Sequence, residues 1–179
     1  DYMDERLGRR LLDIEAMVTD QNTVNYQTSE PEWCKVGLEA SCEYAVDSAI
    51  RDGTHIDVEY AADFWIYLLF FQVKAGRTVV AQWDGKSYKK GDVLFVMRQL
   101  RDYRALNAAI ARGLPLQWRE FCPTVEASRG LFPAWCRFMA VHDSKNAFHS
   151  MMLTMGSRRL CVSKFKDGSG RTRYVQAIG

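Results

Sequence analysis

The sequence predicts a mainly α fold with one or two small β-hairpins: a single helical domain with room for arms. Three observations carry this. Near the start, Leu7, Leu11, Ile14 and Val18 recur at helical spacing. The most apolar run, "FWIYLLFF" at 64–71, reads as a central core helix covered on every side, in part by a neighbouring subunit. The stretch "VMRQLRDYRALNAAIARG" at 96–113 keeps a helical period, and Gly113 stops it.

In chain order, residues 2–19 are expected as an amphipathic helix, followed by the polar loop "DQNTVNYQTSE". Ser29 and Pro31 announce a second helix from Glu32 to Arg51, with Gly53 as its stop. A third starts near Asp57, with Asp57, Glu59 and Asp63 in its positive N-terminal turns, and ends before Gly76. Val79, Ala81 and Trp83 alternate before Asp84-Gly85, which predicts a hairpin. Asp92 caps the arginine-rich helix, and "LPLQWREFCP" links it to a helix opened by Pro133. A further helix covers 144–155 and ends at Gly156. The tail has β character on both sides of "DGSG" and reads as a terminal hairpin. The 179 residues read as one domain: an acidic helical part (1–63), a basic helical core (64–157) and a basic terminal hairpin (158–179).

Composition narrows the function. With 47% hydrophobic and 26% charged residues the chain is globular rather than disordered. Eight apolar residues are too few to span a bilayer, which takes about 20. The five cysteines sit singly among apolar residues and read as reduced thiols of a cytosolic or nuclear protein. The net charge of +2 hides a division. Residues 1–63 hold 15 acids and 5 bases (−10), and residues 64–179 hold 7 acids and 19 bases (+12). Such asymmetry points to nucleic acid or to an acid–base partner surface.

On a helical wheel, Arg98, Arg101, Arg104 and Arg112 share a sector of about 120°, opposite Val96, Leu100, Tyr103 and Ile110. A stripe of planar, permanently charged forks suits successive phosphates. Gln99 and Asn107 lie in or beside the apolar sector and call for buried polar partners. The tail adds Arg158, Arg159, Lys164, Lys166, Arg171 and Arg173, interleaved with Phe165 and Tyr174. Alternation puts Lys164 with Lys166 on one strand face and Arg171 with Arg173 on one face of the other strand. Basic residues among aromatics suit single-stranded nucleic acid, where bases stack on rings. Lys86, Lys89 and Lys90 surround Tyr88 in a further loop that lacks phosphate-loop order.

Catalytic, metal and cofactor signatures are absent: no GxSxG, HExxH, Walker or dinucleotide pattern occurs. His55, His142 and His149 have no cysteine at ligand spacing, and Cys136 with His142 is more simply a core thiol near a histidine. Asp57, Glu59 and Asp63 would be the carboxylates of a metal-dependent nucleic-acid enzyme, but helix-start acids have a structural reason. No catalytic residue, metal ligand or cofactor is therefore expected.

At "RGLFPAWCRFMAVHD" (129–143) the core "CRFMA" resembles the Cys-Arg-aromatic-X-Ala stretch of coat proteins of flexuous filamentous plant viruses. The family's downstream Phe-Asp segment is absent here. The resemblance implies a mostly helical coat that holds single-stranded RNA in a groove and polymerises head to tail, with Arg137 a groove or core arginine. The expected function is a non-enzymatic, cytoplasmic (virion, if viral) coat or nucleocapsid-like protein. It would bind single-stranded RNA independently of sequence and self-assemble as a head-to-tail homo-oligomer. The rivals are a protein-interaction module without nucleic acid and the carboxylate enzyme.

Overall fold

The computed structural model describes residues 2–4, 9–18, 26–32, 35–113 and 151–179. The fold is mixed α/β, which corrects the mainly α expectation. Its centre is a five-stranded sheet in the order β3-β8-β7-β4-β5: β3 (His55–Val58), β4 (Ile66–Val80), β5 (Val93–Arg101), β7 (Val162–Lys166) and β8 (Thr172–Ala177). β4 and β7 run parallel, and the other neighbours are antiparallel. A smaller sheet joins β1 (Tyr2–Asp4), β2 (Arg9–Leu12) and β6 (Met152–Leu153).

The run "FWIYLLFF" is strand, not helix, and Ile66, Tyr67, Leu68 and Leu69 are all buried because β4 is covered on both faces there. Alternation disappears in a strand buried on both sides, so period alone does not separate it from a core helix. Its aromatic and β-branched content favours the strand. The third predicted helix is thereby replaced by β3 and β4.

The stretch read as one arginine helix divides at Arg101. Residues up to and including it form the end of β5, and only α2 (Arg104–Gly113) is helical, started by Asp102, whose Oδ1 accepts the Arg104 N–H at 3.2 Å. The predicted helix over 2–19 is likewise replaced by β1, β2 and a 3-10 turn at Glu15–Met17, because β2 finds its partner β6 some 140 residues away in sequence.

α1 (Glu39–Arg51) is the second predicted helix, shortened at its start. Gly53 follows its end at φ 72°, a conformation glycine takes without strain. Leu38, Cys42, Ala45, Val46 and Ile50 make its apolar stripe and pack on Leu69, Phe71, Met97, Phe165 and Val175 of the sheet. α2 and the 3-10 turn cover the rest of that face, with Leu106 and Ala109 against Trp65, Tyr67 and Leu160.

In place of the small hairpin predicted at 78–92, with its turn at Asp84-Gly85, a longer one is formed by β4 and β5, and residues 81–92 are the loop between them, which folds back onto α1. Tyr88 Oη donates to Asp47 at 2.8 Å and accepts from Trp83 Nε1 at 2.7 Å. Buried Glu43 accepts the Lys86 N–H and the Ser87 hydroxyl.

The terminal hairpin is present, β7 and β8 turning at Asp167–Gly170, and it forms the middle of the sheet rather than an appendage. The helix expected from Pro133, the link before it and residues 144–150 of the next helix lie outside the described residues. At the end of that next helix stands β6, and then α3 (Met155–Arg158), with Thr154 as cap and Gly156 inside it. Among the described residues no helix is long and apolar enough to cross a membrane.

Candidate functional site

The register settles which predicted residues meet. Arg98 and Arg101 are three apart on a strand, so they point to opposite faces and the predicted stripe does not form. Arg104 is bound to its neighbour Asp102 by both Nε and Nη2. Arg159 pairs with Glu15, and Arg171 lies 3.6 Å from Asp167. Arg173 is held between Asp47 at 3.0 Å and Asp57 at 2.7 Å. Arg158 donates to the Leu153 carbonyl, Arg112 is exposed at the end of α2, and Arg137 lies outside the described residues. Tyr88 and Phe165 are buried in the core, so neither offers a ring to a base.

The predicted pairing of Arg171 with Arg173 on a strand face fails, since Arg171 precedes β8 and Arg173 faces inward opposite Phe165. Asp57, expected in a carboxylate cluster, is instead the partner of Arg173. Among the described residues no three His, Cys, Asp or Glu side chains come together to hold a metal.

A smaller group does converge, on the outer face of the sheet. Lys164 and Lys166 share that face on β7 as alternation requires, and Lys164 pairs with Tyr174 on β8. On the same face Phe70 pairs with Leu100, and Gln72 pairs with Arg98. Arg98, Leu100 and Lys166 are exposed, while Phe70, Lys164 and Tyr174 are half-buried. Exposed Tyr60 stands 5.7 Å from Tyr174, ring to ring. Lys164 Nζ also reaches the Thr28 carbonyl at 3.4 Å. Glu32 tempers this surface. Its carboxyl is held below the usual range by a backbone hydrogen bond, and the charges of Lys164 and Lys166 contribute.

The inner face holds a polar cluster that no motif in the sequence announces. Arg101 Nε donates to Ser163 Oγ at 3.1 Å, and Nη2 donates to His55 Nε2 at 2.8 Å and Gln99 Oε1 at 3.0 Å. Gln99 Nε2 in turn donates to the Ala45 carbonyl at 2.9 Å, so Gln99 does find a polar core partner, although on a strand; Asn107 is exposed. An acceptor at His55 Nε2 requires the proton on Nδ1, which donates to Thr54 Oγ1 at 2.9 Å. Thr54 Oγ1 then donates to the Ala49 carbonyl at 2.9 Å.

Burial pulls the Arg101 pKa below the ordinary arginine value, but a guanidinium starts so high that it stays charged at neutral pH. Burial also pushes the nearby Cys161 thiol up to about 11, so it is a neutral neighbour. Arg101 opens on a cavity of about 610 Å³ between α1 and β5.

Gln99 and Arg101 are two apart on β5, but no short-range spacing in the sequence joins them to His55 on β3 or Ser163 on β7. No family model, curated protein or solved structure matches the chain.

Proposed function

We propose that the protein is a non-catalytic binding domain that holds single-stranded RNA, independently of sequence, on the outer face of its five-stranded sheet. The supporting observation is the convergence of Arg98, Lys164 and Lys166 around Phe70 and Tyr174, with Tyr60 beside them. These cations come from two strands distant in sequence. Exposed Tyr60 and half-buried Tyr174 give bases a stacking surface, and flanking cations meet the phosphates. This surface is narrower than the one the sequence suggested, since Arg104, Arg159, Arg171 and Arg173 are neutralised within the chain. Head-to-tail assembly into a coat rests on the "CRFMA" resemblance and on the acidic first third as a docking partner for the basic remainder of a neighbouring subunit, and a cytoplasmic or virion location follows only within this reading.

The test is fluorescence anisotropy with a labelled oligouridine across a salt series. Arg98→Glu with Lys166→Glu is expected to weaken binding at least about tenfold and to flatten the salt dependence, by about 0.7 in log–log slope for each phosphate no longer neutralised. Arg171→Gln and Arg104→Gln, exposed and already paired within the chain, are expected to leave it unchanged. Equal weakening from all four positions, or no binding by the unaltered protein at low salt, would overturn the reading. Negative-stain images with and without RNA test the assembly.

A further inference from the structure

We propose that the cleft between α1 and β5 is a binding site for a small organic carboxylate with a flat apolar body. It lies on the inner face of the sheet, away from the surface proposed for RNA, and does not rest on that reading.

The first argument is charge. Arg101 is a cation inside the domain whose partners, Ser163, His55 and Gln99, are all neutral. Among the described residues no carboxylate forms an ion pair with it. By contrast Arg173, also drawn inward, has two acids. An inward-facing cation without a counter-charge is costly, and an anion from outside removes that cost.

The second argument is geometry. Nε and both Nη2 donors are used, so the guanidinium is fixed in place. Nη1 has no acceptor among the described residues, which leaves its two donors for a ligand. Arg101 lines the cavity between α1 and β5. An anchored fork with spare donors binds an anion with little ordering cost. The neutral His55, held by Thr54, and Gln99 line the same end.

The third argument is shape. The cavity of about 610 Å³ falls within the range of small-molecule sites, about 300–1,000 Å³. Its lining is also aromatic: Tyr44 and Trp83 stack at 5.0 Å, with the Arg51 guanidinium 4.3 Å from the Trp83 ring, and exposed Phe95 on β5 offers a further ring. A lining that holds both a cation and aromatic rings selects an anionic head on a flat body. Asp52 lines the cleft as well, and its negative charge disfavours a dianionic head, which is why a carboxylate is preferred to a phosphate monoester.

Isothermal titration calorimetry with indole-3-acetate, its neutral amide indole-3-acetamide, and phenyl phosphate tests this. Indole-3-acetate is expected to bind at least about tenfold more tightly than the amide, as a charge-assisted hydrogen bond implies. Arg101→Gln is expected to erase that ratio. Ser48→Trp, which fills the cleft from its α1 wall, is expected to abolish binding while leaving the fold intact. It decides the matter even if Arg101→Gln unfolds. Equal affinity for acid and amide, tight binding that survives Ser48→Trp, or no saturable heat from the acid would overturn the proposal. Phenyl phosphate binding as tightly as indole-3-acetate would overturn the choice of carboxylate.

Discussion

Arg101 Nη2 donates to His55 Nε2 at 2.8 Å, joining the two edge strands of the five-stranded sheet. Four strand spacings separate β5 from β3, roughly 19 Å in a flat sheet. That exceeds what an arginine and a histidine span, so the sheet curls and its inner face is concave. The curl creates both the interior that α1 covers and the cleft on which Arg101 opens. His55→Phe keeps the ring and removes the acceptor. It is expected to destabilise the fold by about 1–3 kcal/mol, because a buried charged donor is left without its partner. Urea unfolding checks this. In a double-mutant cycle, Arg101→Met should cost less in the His55→Phe background than in the unaltered chain.

The Arg173 side chain is nearly buried, between Asp47 and the more exposed Asp57. Removing the cation strands both acids, so Arg173→Ala is expected to cost about 3–5 kcal/mol. Asp57→Asn should cost under about 1 kcal/mol, since water screens its half-exposed carboxylate. Chemical denaturation of both variants tests the ranking, and equal destabilisation would contradict it.

Asp167 carries the pH dependence of the β7–β8 turn. Burial alone would raise its pKa, but the Ser169 hydroxyl, the Ser169 and Arg171 N–H groups and the Arg171 charge outweigh burial and hold it below the usual carboxylate range. The native state therefore binds fewer protons than the unfolded chain, so this contribution is present above the unfolded value of roughly 3.9 and disappears as pH falls through the folded one. Stability measured by urea from pH 6 down to pH 3 should fall in the acid range. Asp167→Asn should be less stable at pH 6 and show a shallower acid decline.

Gly85 is a glycine for reasons of space. A Cβ there would lie within the Tyr88 ring. Gly85→Ala is expected to drive Tyr88 off Asp47 and cost about 1–3 kcal/mol through overpacking. Tyr88→Phe keeps the packing and removes the two hydrogen bonds to Asp47 and Trp83, for about 1–2 kcal/mol. Thermal unfolding of the two variants tests this. A Gly85→Ala protein as stable as the original would show that the loop accommodates the methyl group.

Some of this molecule is readable from sequence, for local reasons. The end of α1 at Gly53 and the turn at "DGSG" are legible because left-handed backbone and tight turns are decided within a few residues. The facing of Lys164 with Lys166 follows from the two-residue repeat of a strand. The cluster of Arg101, His55, Gln99 and Ser163 is not legible. His55 is 46 residues and Ser163 is 62 residues from Arg101, and none of them belongs to a recognisable motif.

Local chemistry in the chain was enough to establish turns, one helix end and the division into acidic and basic blocks. Folding settled the rest. An apolar run such as 64–71 is compatible with helix or strand, and its pairing with β7 and β5 chose strand. Whether an arginine is free or neutralised depends on which carboxylate the fold brings to it: Asp57 reaches Arg173 across 116 residues and Glu15 reaches Arg159 across 144. Charge is a property of a residue, but its availability is a property of distance, and distances between remote residues exist only once the sheet has formed.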